Sequence, residues 1–183
     1  NEVIKVILDS VSEEECYQLL SITDYDGYTT LHDSCWGGDS ESVRVMLNHV
    51  NQDARYSLLQ MTNGDVNTPL QRASYNGHTE TMIVIHESVT NTQWINLLQM
   101  KGDAWMTVLQ EAVYWDFQTS INTIRDSVSD EEWIQLLSTP LPEYNEWGMH
   151  EKQNYQRAVS WIDKLRAAAR VKSVSQTENI SGM

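Results

Sequence analysis

The sequence predicts an all-α helical repeat solenoid: about four stacked units with three short helices each, plus a C-terminal helix. Two observations predict it: aliphatic columns that return every 39 residues, and helix-start residues that return at one offset within that period. Leu19-Leu20 recurs as Leu58-Leu59, Leu97-Leu98 and Leu136-Leu137, and Val11 recurs as Val50, Val89 and Val128. Ile7, Met46, Ile85 and Ile124 keep a third column aliphatic. Leu31, Leu70 and Leu109 form a fourth, each two positions after Thr29, Thr68 or Thr107. One such unit cannot cover its own apolar face, so neighbours must stack and each column becomes a stripe of shared core. Full burial of one of these side chains contributes about 1.5–3 kcal/mol.

Within a unit, punctuation and spacing place the helices. The first is short and runs from about Thr68-Pro69 to Asn76-Gly77, with Pro suited to a first helical turn and Gly to the stop. The second, as in residues 41–50, sets Val43, Met46, Leu47 and Val50 along one face at helical spacing. The third opens on a good N-cap in every copy: Ser12 with Glu15, Asn51, Thr90 with Gln93, and Ser129 with Glu132. Acids in the first turn, such as Glu13-Glu14-Glu15 and Asp130-Glu131-Glu132, suit the helix dipole. The acidic excess is therefore either helix-start chemistry or a dedicated acidic binding surface.

The unit from Gly64 through Asn67-Thr68-Pro69-Leu70-Gln71 to Asn76-Gly77-His78 and Glu80 resembles the ankyrin repeat pattern. Asp24, Gly27, Leu31-His32, Gly38 and Glu41 supply matching positions in the preceding copy. The following copy keeps Thr107, Leu109 and Ala112 but has Val108, Gln110 and Asp116-Phe117 where the pattern has Pro, His and Gly-His. Ankyrin units have about 33 residues, so these carry some six more, placed where the capped third helix sits. The resemblance implies an ankyrin-like array over residues 1–139, with units of about 1–23, 24–62, 63–101 and 102–139. The usual projecting hairpin would be shortened or replaced. Residues 140–183 are expected to hold a connecting loop, a C-terminal capping helix or an altered fifth repeat, and a flexible tail. The chain begins inside a unit, since Asn1 aligns with Ser40, and a longer array is the expected context.

Charge narrows the partners. The chain carries a formal net charge of -14. Residues 1–150 hold 23 acidic and 6 basic residues, against 3 acidic and 6 basic in residues 151–183. An acidic array repels nucleic acid and anionic membrane and attracts a basic protein or peptide. The basic residues Arg157, Lys164, Arg166, Arg170 and Lys172 offer an intramolecular rival for the same acids. Cys16 and Cys35 have neither metal-ligand spacing nor a disulfide ladder, so a reducing, cytoplasmic compartment is expected, with no metal and no cofactor. Neither a phosphate loop nor a nucleophile elbow occurs, and the run His32-Asp33-Ser34-Cys35 points its side chains in different directions on a helix. No catalytic residue is assigned, and a monomeric, non-enzymatic binding module is expected.

If the ankyrin resemblance holds, partners meet the turn tips and the exposed side of the first helices. The candidate partner-binding residues are Tyr25, Asp26, Tyr28 and Trp36, then Asp65, Asn67, Tyr75 and Asn76, then Asp103, Met106, Tyr114 and Trp115. Aromatics there give large contact area at low entropic cost. Recurrence of Trp36, Tyr75 and Tyr114 in one column is equally well explained by packing between units. Two other functions compete: an acidic mimic of nucleic acid that occupies a DNA- or RNA-binding protein, and a structural spacer in a longer repeat protein.

Overall fold

The computed structural model describes residues 2–102, 105–142 and 149–181, with side chains in the last segment from 152 to 168. Twelve helices form among the described residues. The first unit contributes α1 (Glu2–Asp9) and α2 (Glu13–Leu20). Three complete triplets follow: α3 (Thr30–Gly37), α4 (Ser40–Asn48) and α5 (Gln52–Gln60); α6 (Pro69–Tyr75), α7 (Thr79–Ser88) and α8 (Asn91–Gln99); α9 (Val108–Trp115), α10 (Gln118–Asp126) and α11 (Asp130–Ser138). A long helix, α12 (Met149–Ser181), ends the chain. Like packs on like: α3, α6 and α9 form one row, α1, α4, α7 and α10 a second, and α2, α5, α8 and α11 a third. This is the helical repeat solenoid that the 39-residue columns require. No described helix is long and apolar enough to cross a membrane.

The helix starts follow the sequence closely. Ser12, Thr90 and Ser129 each close a capping box with Glu15, Gln93 and Glu132, and Asn51 accepts from the Ala54 amide. Hydrogen bonds from the Ser12 and Ser129 amides hold the Glu15 and Glu132 carboxyls below their ordinary range. At these two positions acidity is helix-start chemistry. Thr29, Thr68 and Thr107 cap the first-row helices through boxes with His32, Gln71 and Gln110. His32 and Gln71 then reach across to the following unit, and Gln110 reaches the segment that follows α11. His32 Nε2 meets the Asn67 carbonyl at 3.1 Å, Gln71 Nε2 donates to Met106 O at 3.4 Å, and Gln110 Nε2 donates to Thr139 O at 3.1 Å and Pro140 O at 3.0 Å. Gln110, a departure from the ankyrin-like pattern, keeps the capping box of His32 and ties α9 to the end of α11.

The aliphatic columns become core where a preceding unit covers them. Met46, Ile85, Ile124 and Leu97 are fully buried, with Leu58 and Leu136 nearly so. Ile7 and Leu19 belong to the same columns yet stand 49% and 40% exposed, because among the described residues no helix stacks before α1 and α2. At the other end α12 packs on α9 and α11. Arg157 donates to the Tyr114 carbonyl at 2.8 Å, and Arg166 to those of Leu137 at 2.6 Å and Thr139 at 3.2 Å. Two of the basic residues therefore satisfy helix-end carbonyls of the array.

The turns between units share one geometry. Asp24 and Asn63 each accept two backbone amides through Oδ1, those of Asp26 and Tyr28 in one turn and of Asp65 and Asn67 in the next. The amides of Asp24, Asn63 and Gly102 donate to the carbonyls of Tyr28, Asn67 and Met106. The third turn position is left-handed in all three copies: Gly27 at φ 80°, Val66 at 63° and Trp105 at 60°. Glycine adopts that conformation freely, whereas a side chain held there costs on the order of 1–3 kcal/mol. Val66 and Trp105 accept the cost while standing 54% and 74% exposed, so their side chains gain little burial in return.

Three outcomes follow for stability. Val66→Gly relieves the left-handed strain at the expense of unfolded-state entropy and should raise stability by about 1 kcal/mol, a rise of roughly 2–4 °C in melting temperature. His49 places both ring nitrogens on acceptors, Nδ1 on Val45 O at 2.7 Å and Nε2 on Asp9 Oδ1 at 2.8 Å, and the Asp9 bond raises its pKa above 6.5. A raised folded value stabilises fully below 6.5 and fades as pH climbs through it, so His49→Gln should lower the melting temperature at pH 6 more than at pH 8. Burial lowers the pKa of His32, so the fold holds a neutral ring and loses stability as pH falls below 6.5. His32→Gln, which installs the residue used in the next two copies, should melt increasingly above the unsubstituted protein as the buffer is taken below that value.

Candidate functional site

The first helix row and the turn tips enclose a cleft of about 220 Å³ lined by residues from three consecutive units. Its walls are aromatic. The Trp36 and Tyr75 rings stack with centroids 5.8 Å apart and an 18° interplanar angle, and Tyr75 meets Trp115 edge-on at 5.8 Å and Phe117 at 5.5 Å. Trp36 and Trp115 remain 42% and 40% exposed. The Arg72 guanidinium lies over the Trp36 ring, 3.9 Å from its centroid, and 5.0 Å from that of Tyr28. Asp65 and Glu111 add carboxylates to the same cleft, and the Tyr28 hydroxyl donates to Asp65 Oδ2 at 3.3 Å.

Seven of the residues singled out by sequence meet in this one cleft: Trp36, Asp65, Asn67, Tyr75, Met106, Tyr114 and Trp115. Tyr25, Asp26 and Tyr28 line an adjoining groove at the turn tips together with Asp65, and Tyr25 is fully exposed. Asn76 sits at the edge of this surface and donates from Nδ2 to the carbonyls of Trp36 and Arg72. Asp103 lies outside the described residues.

Three of the candidates are not surface groups. Asn67, Met106 and Tyr114 are 7%, 6% and 2% exposed and form the floor. The carbonyls of Asn67 and Met106 receive the His32 and Gln71 clamps, which draws these two positions inward. Tyr114 turns inward where α12 packs on α9, and Trp115 takes the surface place that Trp36 and Tyr75 hold in earlier copies. The recurring aromatic column therefore splits, with Trp36 and Tyr75 forming a stack and Tyr114 joining the core.

Sequence reasoning missed Arg72, Glu111, Val66 and Trp105. Val66 and Trp105 carried a signal, since each stands 39 or 78 positions after Gly27, where the turn calls for glycine. Arg72 is the sole Lys or Arg between Arg55 and Lys101. Of the reactive-looking run, His32 and Cys35 are buried, both His32 ring nitrogens are engaged, and burial drives the Cys35 thiol pKa far up. Among the described residues no three His, Cys, Asp or Glu side chains converge as a metal ion requires.

No protein-family model matches the sequence. No curated protein matches it either. Its fold is similar to that in the crystal structure of EF0377, an ankyrin repeat protein, with a TM-score of 0.51 at 14% sequence identity over 82% of this chain and 73% of that one. At that identity the likeness is one of architecture, and the chain has an ankyrin-like, all-α repeat fold.

Proposed function

We propose that this chain is a protein-interaction module that binds a basic protein or peptide along its turn tips and first-row helices. The observation that carries the reading is the cleft itself, where three stacked units hold exposed Trp36 and Trp115 beside the carboxylates of Asp65 and Glu111. Large aromatics left half in solvent, next to charged groups, are the composition of interface hot spots. The tips extend the same surface with Tyr25, Asp26 and the strained, exposed Val66 and Trp105. Backbone strain held without a burial gain is what a recognition surface retains and a stability-optimised one loses. The net charge of -14 favours basic partners and speeds their approach.

Affinity capture with the intact chain, repeated with Trp115→Ala and Tyr28→Ala, tests the proposal. Basic partners should be retained by the former and weakened about 10-fold or more by the substitutions. Association with a captured partner should slow as salt is raised. A partner whose affinity ignores both salt and these two side chains would remove the proposal.

A further inference from the structure

Six arginine side chains are described, and five have their donors taken up within the fold. Arg44 pairs with Glu80 and Glu87, and Arg55 donates to the carbonyls of Leu47 and Val50. Arg125 engages Asp130 and Val128 O; Arg157 engages Tyr114 O and Asp116; Arg166 engages Leu137 O, Thr139 O and Asp163. The guanidinium of Arg72 makes no hydrogen bond and no ion pair to any described residue, and its Nε is buried without a partner. This is also the arginine that lines the cleft. In an array where acids far outnumber bases, the one arginine among the described residues with no hydrogen bond or ion pair is the one held over Trp36 at the candidate site.

We infer that Arg72 receives a carboxylate of the partner: a single Asp or Glu side chain set within an otherwise basic segment. The inference rests on the proposed binding role of this cleft. A guanidinium fixed by stacking presents its remaining N–H groups as a rigid fork, matched to two carboxylate oxygens, and little further entropy is lost on pairing. The cleft also holds carboxylates, so it is bipolar: Arg72 on α6 faces one charge, while Asp65 and Glu111 favour the opposite one on the neighbouring residues of the partner. A doubly charged phosphate would be repelled by Asp65 and Glu111 about twice as strongly as a carboxylate. A volume of about 220 Å³ lies below the roughly 300–1,000 Å³ of small-molecule pockets and suits one inserted side chain. The turn-tip groove continues the surface beyond the cleft, so the partner backbone passes by it, which favours an internal residue over a chain terminus.

The test is selection of random peptides displayed on phage against the full chain and its variants. Peptides enriched on the unsubstituted protein should share one fixed Asp or Glu flanked by Lys or Arg. Replacing that acid with its amide should weaken binding about 30-fold or more, as should Arg72→Gln. On Arg72→Glu the fixed acidic position should become Lys or Arg, whereas Arg72→Lys should keep the acid at lower affinity. Helical circular dichroism and melting temperature show that each variant folds; if Arg72→Glu does not, loss of the acid preference on Arg72→Gln decides. Enrichment of basic peptides with no fixed acid, or identical peptides from the unsubstituted and substituted proteins, overturns the Arg72 assignment and leaves the basic-partner reading standing. Peptides whose binding survives Trp115→Ala and Asp65→Asn, or no enrichment at all, overturn both.

Discussion

The solenoid depends on one interaction repeated three times, the side chain at the third position of each first-row helix reaching both back and across. His32, Gln71 and Gln110 each close a capping box with the preceding threonine; His32 and Gln71 then meet a carbonyl of the following unit, and Gln110 the carbonyls of Thr139 and Pro140 just past α11. Helix start and inter-unit register are thereby fixed by the same few atoms. Apolar columns supply the larger share of free energy, but they are tolerant of small displacement, whereas a buried hydrogen bond is directional. These side chains are nearly or fully buried, so leaving one unpaired would cost about 1–3 kcal/mol, and units must stack in register or not at all.

That register brings the cleft into being. Trp36, Tyr75 and Trp115 come from three different units, and their ring contacts exist only because successive first helices stand at a fixed offset. The clamps also pull Asn67 and Met106 into the floor, leaving their neighbours Asp65, Val66 and Trp105 at the tips. Surface and interior residues thus sit side by side in the same turn, with exposed Asp65 and Val66 between buried Asn63 and Asn67. Left-handed backbone at Val66 and Trp105 turns apolar side chains outward, where burial does not reward them.

Period, helix order, cap identities and most of the residues that line the cleft were legible in the sequence because each is a local or translational property. Ser12, Thr90 and Ser129 announce their helices within four residues, and a column such as Leu20, Leu59, Leu98 and Leu137 declares a shared environment before any contact is known. What escaped was non-local. The stacking of Arg72 over Trp36 joins residues 36 positions apart in different units, and no spacing rule signals an arginine left without an anion. Tyr114 looked equivalent to Tyr75 and is not, because α12 packs on α9 and Tyr114 is buried there. Gln110 stands where the ankyrin-like pattern has His, and its amide closes the capping box and reaches the carbonyls after α11, which the departure from the pattern did not signal.

α12 packs on α9 and α11, so a first-row helix with neighbours on both sides can be set beside helices with a neighbour on one. In a one-dimensional stack each unit is stabilised chiefly by its neighbours, so disruption starts where a unit has only one. α12 ties off the far end through Arg157 and Arg166, while α1 and α2 present Val3, Val6, Ile7, Leu19 and Ile22 to solvent. Backbone amides of α9, held between α6 on one side and α12 on the other, should therefore keep their protection against exchange until late.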